Sequence, residues 1–350
     1  EFSEDMMQED LVRNRTMSFP EVAVSVKMPQ SGKVYELDPE TGNVHAVSAV
    51  YSGGAYHFKT SFGPLASRLF LITENMPAEE ILPVRTEPVL RKAAALPAEN
   101  WDFELAEPNV LVLDHADYSV DGKERGKSRL ILHIDNDLRE QLGAVLRGES
   151  MIQPWARRPE QEQKTLDLRL LWHFDCDGIP SGCRLVLENP ELYQASINGK
   201  PLKLENSGWW IDKALRTVPI PAGFIQNGEN VIEMRSVYSA EQPGLENIYL
   251  LGNFGVRNDR ISAMPSSLAA GDWCPQGLPY YAGNLTYCFP LEKLPEGRIF
   301  VSFPSWRGSA LGIRVNDGEE KMLAWYPERL EITPHLNRKG RNRLCVTVYN

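Results

Sequence analysis

The chain has 350 residues, 42% of them hydrophobic, with 25 Pro and 26 Gly. That is too long for one ordinary sandwich and suits about two to three globular, turn-rich domains. The formal net charge of −10 disfavours a nucleic-acid partner, whose phosphates need clustered Lys and Arg that outweigh the acids. No apolar run approaches the ~20 residues that span a bilayer, so no membrane partner is expected either.

Five cysteines (Cys176, Cys183, Cys274, Cys288, Cys345) make an odd number, and none stands in a CxxC spacing. That usage leans towards a reducing compartment, cytoplasmic rather than secreted. Cys176 and Cys183 flank the turn DGIPSG; a hairpin disulfide or two free, half-buried thiols both fit. The chain opens Glu1-Phe2-Ser3 without an initiator Met, which reads as a fragment whose preceding region is missing.

Residues 1–17 are polar and acidic and read as the tail of that region. Residues 18–76 read as a small β-sandwich module. EVAVSVKM sets Val22, Val24 and Val26 on one face, the period of two of a half-buried strand. KVYELDPETGNVHAV is strand, turn, strand, and AYHFKTSF and SRLFLIT continue the sheet. Residues 77–100, rich in Pro, read as a linker.

Residues 101–262 read as a sandwich with a short helical insertion. NVLVLDHADYSV and SRLILHI are expected strands. A helix is expected near 136–147, with Leu138, Leu142 and Leu146 at i, i+4, i+8 and Asp135 or Asn136 as N-cap. DLRLLWHF, GCRLVLEN, YQASINGKPL, GWWIDKALRTVPI and GENVIEMRSV follow as strands, with Asn198-Gly199 at a hairpin turn. Residues 263–350 read as a second sandwich in which NLTYCFPL, GRIFVSF, LGIRVNDGEEKML, AWYPERLEIT and GRNRLCVTV occupy the same places. Two copies of one topology are expected. Between them, Gly244–Tyr287 is read as a Gly-, Pro- and aromatic-rich bridge. The fold class is all-β: tandem jelly-roll, galactose-binding-like sandwiches preceded by a small antiparallel β-domain.

The second copy, by LTYCF, IRVNDG, WYPERLEITPHL and GRNRLCVTV, resembles the galactose-binding-like sandwich of family 2 type glycoside hydrolases. The bridge, with LENIYLLGNFGV followed by GDWCPQGLPYYAGNLTY, resembles the C-terminal region of family 106 type α-L-rhamnosidases. YELDPETGNV and PLASRLFLI resemble the β-domain that follows the catalytic barrel in such enzymes. The resemblance implies an accessory, non-catalytic region, with carbohydrate and the barrel of the same polypeptide as partners. Those enzymes carry their catalytic carboxylates, and a calcium in some members, on the barrel. No alternating strand–helix series exists here, so no catalytic residue carries over; no cofactor is expected, with calcium left open because the sequence does not place a site for it.

The residues themselves hold no P-loop, GxSxG, HExxH or EF-hand motif. Six scattered histidines show no i, i+4 pair; a lone strand residue such as His173 reads as packed and hydrogen-bonded. Glu188, Asp212, Glu233 and Glu246 stand beside aromatic or apolar neighbours. Glycoside hydrolysis needs two carboxylates facing each other ~5–9 Å apart, and sequence places no two together. Aromatics are the candidate carbohydrate contacts, because sugar C–H faces stack on Trp and Tyr. The candidates are Trp209 and Trp210 with Asp212; Gln276, Tyr280 and Tyr281 near Trp273; and Trp306 with Trp325 and Tyr326. Core packing is the competing reading for each cluster. Of Trp209 and Trp210, one is expected in the core and one on the surface. Trp273 is expected to be core, and one of Tyr280 and Tyr281 to face solvent. A free-standing carbohydrate-binding protein and a complete all-β enzyme remain alternative functions.

Overall fold

The computed structural model describes residues 17–28, 32–39, 41–64, 66–76, 80–85, 89–147, 164–292, 294–303, 306–325 and 327–350. Apart from short 3-10 turns and one α-helix, the regular elements among these residues are antiparallel strands with a few parallel contacts. The expected all-β sandwich fold is the one observed. Packing divides the chain into two compact units, Glu1–Leu96 with Phe289–Tyr349, and Pro97–Cys288 with Asn350.

The first unit opens with β1 (Phe19–Lys27), β2 (Lys33–Leu37), β3 (Val44–Ala46), β4 (Ala49–Ser52), β5 (Ala55–Phe62) and β6 (Leu69–Thr73). They form two three-stranded sheets, ordered β1-β5-β4 and β3-β2-β6. Val22, Val24 and Val26 are half-buried and alternate with exposed Ala23 and Ser25, as the period of two requires. Val34, Tyr56 and Phe58 form a buried centre against which Val24, Val26, Phe70 and Ile72 pack.

The second unit holds β7 (Asp102–Leu105), β8 (Asn109–Leu113), β9 (His115–Val120), β10 (Lys123–Leu130), helix α1 (Ile131–Leu142), β11 (Thr165–Cys176), β12 (Arg184–Leu187), β13 (Gln194–Ile197) and β14 (Lys200–Leu202). It continues through β15 (Trp209–Trp210), β16 (Asp212–Pro219), β17 (Gly228–Ser239), β18 (Ile248–Gly252), β19 (Gly255–Arg257) and β20 (Arg260–Ser262). One sheet runs β10-β9-β11-β17-β13-β14, with β20 beside β11 and β19 beside β20; the other runs β15-β16-β12-β18-β8. Strands β11 and β17 pair along their whole length, from Thr165↔Ser239 to Cys176↔Gly228. Leu166, Leu168, Leu170, Trp172 and Phe174 point from β11 into the core that both sheets and α1 share.

Four expectations fail in this unit. NVLVLDHADYSV is two strands, not one: β8 pairs β18 in one sheet, and β9 pairs β10 and β11 in the other. The core-facing positions change phase at the step, from Leu111 and Leu113 to Ala116, Tyr118 and Val120, but Val110 and Val112 are apolar too, so the even positions read through as one strand. SRLILHI is not a strand throughout, because α1 starts at Ile131, where Ile131, Ile134 and Leu138 at i, i+3, i+7 are buried. The helix also ends earlier than expected, at Gly143 in the left-handed conformation (φ 69°). Asp135 and Asn136 are therefore not N-caps. The N-cap is Leu130, with no side-chain cap, and Asp135 lies buried mid-helix. Residues 1–16 of the expected tail 1–17 lie outside the described residues, as do residues 148–163.

The remaining strands are β21 (Leu285–Leu291), β22 (Phe300–Ser302), β23 (Ala310–Val315), β24 (Lys321–Leu323), β25 (Arg329–Glu331) and β26 (Asn342–Tyr349). In the second unit, the start of β21 pairs β7, from Leu285↔Leu105 to Cys288↔Asp102. The pairings β13–β14, β13–β17 and β12–β16 recur as β23–β24, β23–β26 and β22–β25.

A pair of asparagines repeats with them. Asn198, at φ 52° in the turn after β13, donates to Asn230 Oδ1 at 2.8 Å and accepts the Val231 N–H at 2.9 Å. Asn316, at φ 54° after β23, donates to Asn342 Oδ1 at 3.0 Å and accepts the Arg343 N–H at 2.9 Å. Buried Asn230 and Asn342 each turn their own amide back on the preceding loop. Asparagine tolerates the left-handed turn and has an amide to share, so each copy fastens its turn to the root of its last strand in the same way.

Cys176 and Cys183 are buried free thiols, and Cys274 is a free thiol at the surface. Cys288 and Cys345 are disulfide-bonded, a bonded state that the odd count did not reveal.

Candidate functional site

The aromatic candidates separate by exposure. Trp209 and Trp210 form β15, whose register against β16 shifts between the two residues. The bulge turns Trp209 outward, 55% exposed. Trp210 lies inward, its ring 5.3 Å from that of Tyr249, against buried Val110, Val186 and Leu251. The one-in, one-out expectation holds. Between β15 and β16 the chain turns at Ile211, a β-branched residue held at φ 59° and 61% exposed. Side chains of that shape avoid the left-handed region because Cβ crowds the backbone, and Asn or Gly would stabilise the same turn. Asp212 is exposed, and its Oδ1 accepts the Ala214 N–H at 2.7 Å, which holds the turn from the other side.

The stretch Gly244–Tyr287 lies within the second unit. Trp273 is half-buried; its indole N–H donates to the Tyr287 hydroxyl, and its ring lies 6.1 Å from that of Tyr281. Tyr287 meets Trp101 edge-on at 4.8 Å. Tyr281 is buried, and its hydroxyl donates to Asn284 O at 2.6 Å. Tyr280 is exposed and donates to Asp259 Oδ1 at 2.5 Å; that bond, with burial and the carboxylate's charge, pushes its phenol up to about 12. Of these two tyrosines it is Tyr280 that faces solvent. The Gln276 amide accepts from Ala269 N at 2.6 Å and donates to Ala269 O and Asp272 O at 3.2 and 2.8 Å. Its hydrogen bonds thus fasten the 269–276 loop.

In the last strands Trp306 is half-buried and Trp325 is 55% exposed; Tyr326 lies outside the described residues. Trp325 lies between β24 and β25, and Trp209, in the short strand β15, lies between β14 and β16. Each copy of the repeat therefore shows an exposed tryptophan at the same point of its topology.

The carboxylates fall in three places. Glu188 and Glu246 line one cavity of about 10 Å³ with Trp172 and Tyr193, room for about one water rather than a sugar ring. Burial pushes the Glu246 carboxyl up even though Arg147 holds it at 2.7 Å. Glu233 accepts from Arg169 at 2.8 Å and from Arg235 at 2.6 Å, which lowers it to about 2. A group so held stays ionised and does not act as a proton donor near neutral pH. Asp212 stands apart in its turn. His173 reaches Asp117 at 3.3 Å and Glu229 at 3.4 Å; it is hydrogen-bonded as expected but exposed rather than packed.

A polar groove of about 670 Å³ went unread in the sequence. It lies between bulged β10 and the start of α1 and is lined by His115, Tyr118, Arg125, Arg129, His133 and Asp137, among others. Register against β9 shifts twice along β10, and Ser128 sits at φ 44° with its N–H on Asp117 Oδ1 at 2.8 Å. Arg129 grips Asp137 through two bonds of 2.6 and 2.8 Å, and Tyr118 donates to the same carboxylate at 2.9 Å. Burial opposes ionisation of Asp137, but these donors prevail and hold it below its ordinary value. The signal available in sequence was the charge run KERGKSR, which a solvated edge strand also explains.

No protein-family model matches the chain, and no curated protein sequence matches it. Solved structures similar to it include a rhamnosidase from Novosphingobium sp. PP1Y, at 17% identity and a TM-score of 0.19, over 75% of this chain and 21% of that one. The chain thus spans about a fifth of that rhamnosidase. An anti-sigma factor domain-containing protein is similar at 13% identity and a TM-score of 0.21, over 72% of this chain and 84% of that one. The RrgB pilus protein of Streptococcus pneumoniae is similar at 8% identity and a TM-score of 0.22, over 98% and 59%. Likeness at these TM-scores carries no argument about function.

Proposed function

We propose that this chain is a carbohydrate-contacting β-sandwich region of a glycoside hydrolase of the rhamnosidase-like kind, accessory to a catalytic barrel elsewhere in its polypeptide. The observation that supports it best is the exposed tryptophan repeated at one point of both copies, Trp209 and Trp325. A flat indole in water loses apolar exposure when a sugar face stacks on it. At Trp209 the neighbouring turn spends conformational energy on an exposed Ile211, an arrangement that stability does not require. Trp209 stands on the edge strand β15 and Trp325 just after the edge strand β24, and a glycan can approach each from solvent.

The test is affinity electrophoresis of the whole chain through gels containing a neutral rhamnan, beside Trp209→Ala and Trp325→Ala. Retardation of the native chain, weakened in each variant at an unchanged melting temperature, is the expected result. Equal mobility of all three would overturn the reading, and so would turnover of an aryl-rhamnoside that is lost on replacing one of this chain's own acids.

A further inference from the structure

We propose that the groove between β10 and the first turn of α1 binds the anionic group, a carboxylate or a sulfate ester, of an acidic saccharide. It would do so chiefly through Arg125. The saccharide half of this inference rests on the carbohydrate reading above, whereas the anion half rests on the groove alone.

Three observations carry it. The first is local charge. In a chain of net charge −10, this open groove gathers Arg125, Lys127 and His133 beside Arg129 and His115, which are already turned on Asp137 and Asp114, so the charge left for a ligand is that of Arg125 and Lys127. The second is that nearby acids are already engaged. Asp137 is held by Arg129 and Tyr118. Asp117 is held by the Ser128 N–H and His173, and Asp114 by His115 at 2.7 Å. Lys127 has only a loose contact with Glu124 at 3.8 Å, both side chains exposed, worth little. Arg125 has no carboxylate partner among the described residues, and a guanidinium presents the forked donors that match a carboxylate or sulfate. The third is the end of the helix. Helix α1 begins beside the groove with no side-chain cap and no acid in its first turn; its Ile131 N–H is bonded to Asp114 O at 2.8 Å, and the rest of its N-terminal dipole adds positive potential nearby.

The bland alternative is edge protection, since charges and bulges on an outer strand prevent pairing with another chain. That accounts for Lys123, Glu124 and the bulges. It gives no reason for two histidines, His115 and His133, to line the same space. It also leaves the shape of the groove unexplained. The Tyr118 ring lies so close over Gly126 that a Cβ there would stand 2.8 Å from it, so the bulged strand is packed directly on the ring that lines the groove.

Isothermal titration of the whole chain at low salt, with tri-galacturonate in one arm and a sulfated disaccharide in the other, tests the proposal. Binding in at least one arm, weakened roughly tenfold or more in Arg125→Gln and less in Arg125→Lys, is expected for the loss of a charge-assisted bidentate contact. The arm that binds identifies the anion. Arg125 is exposed, so the variant folds, and circular dichroism checks that it does. Absence of binding in both arms, or equal binding by Arg125→Gln, overturns the inference. Displacement by inorganic sulfate at the same affinity as the sugar overturns its saccharide half. Trp209→Ala and Trp325→Ala separate the two proposals: acid-sugar binding that survives in them supports the groove even if the tryptophan platforms fail.

Discussion

Replacing Asp135 should unlock the helix that borders the groove. Its carboxylate is fully buried and accepts from the Tyr238 hydroxyl at 2.7 Å, the Leu245 N–H at 2.9 Å, Arg139 Nε at 2.7 Å and Arg147 Nε at 3.4 Å. These bonds tie α1 to β17 and to the loop before β18. Packing there is close, since a Cβ on Gly244 would stand 3.0–3.1 Å from Arg147, Arg139 and Asp135. In Asp135→Ala the Arg139 guanidinium, on a side chain only 3% exposed, keeps its charge in the interior without a counter-ion. Removing one partner of such a pair costs about 3–5 kcal/mol. Tyr238 and Leu245 each lose an acceptor, worth about 1–3 kcal/mol when a buried donor is orphaned. These losses share one cavity and do not add, so the upper half of the ~3–5 kcal/mol range is expected. That is a large part of the ~5–15 kcal/mol that holds a domain folded.

A chain of two compact units is not assumed to unfold in one step. The suitable assay is hydrogen exchange against urea, read on peptides covering 128–147 and 228–245. A loss below about 1 kcal/mol would refute the reasoning, because it would mean that the buried cation finds water or another partner at little cost. The double variant Asp135→Leu with Arg139→Met should cost less than Asp135→Ala alone, since it removes both charges together.

Two further predictions concern the aromatic segment and an ion pair. Trp273→Ala should cost about 2–3 kcal/mol, below the ~3–5 of a fully buried Trp because the residue is only half-buried. Trp273→Phe should cost about 1 kcal/mol, chiefly the lost bond to Tyr287; an unchanged urea midpoint in both would refute a packing role. Glu233 is held by Arg169 and Arg235 at about 2, against an ordinary 4.5. Its contribution is therefore complete above pH ~4.5 and fades as the pH falls through that window towards about 2. Unfolding midpoints of Glu233→Gln measured across it should show a shallower acid slope than the native chain, and identical slopes would refute the assignment.

Strand content was legible because its cause is local. Val22, Val24 and Val26, or Leu166 to Phe174, declare a half-buried strand by alternation, and Asn198-Gly199 declares its turn by the left-handed backbone that Asn and Gly accept. The internal repeat was legible from spacing. What failed had causes remote in sequence. Asp114 marks a change of sheet at which the buried face moves from Leu111 and Leu113 to Ala116, Tyr118 and Val120, a shift that apolar Val110 and Val112 mask in the sequence. Asp135 was read as a cap because a short polar residue before a leucine run has that local meaning. Its partners Tyr238 and Leu245 stand more than a hundred residues away in the chain.

The aromatic candidates divide along the same line. That one of Trp209 and Trp210 faces out follows from the two-residue period of any strand, but which one does so depends on the bulge against β16. Gln276 carries polar atoms suited to a sugar, yet its amide is taken up by a loop whose shape no local rule supplies. The charge run KERGKSR and the histidines His115 and His133 were visible as residues. They became a groove only when β9, β10 and α1 met, because converging side chains are a property of packed surfaces and not of chain order. The sequence by itself determined the strands, the turns and the duplicated order of elements, all governed by interactions within a few residues. Tertiary structure decided which tryptophan meets solvent, which acids are neutralised and where unpaired positive charge collects, since burial and Coulomb interactions depend on distance in space.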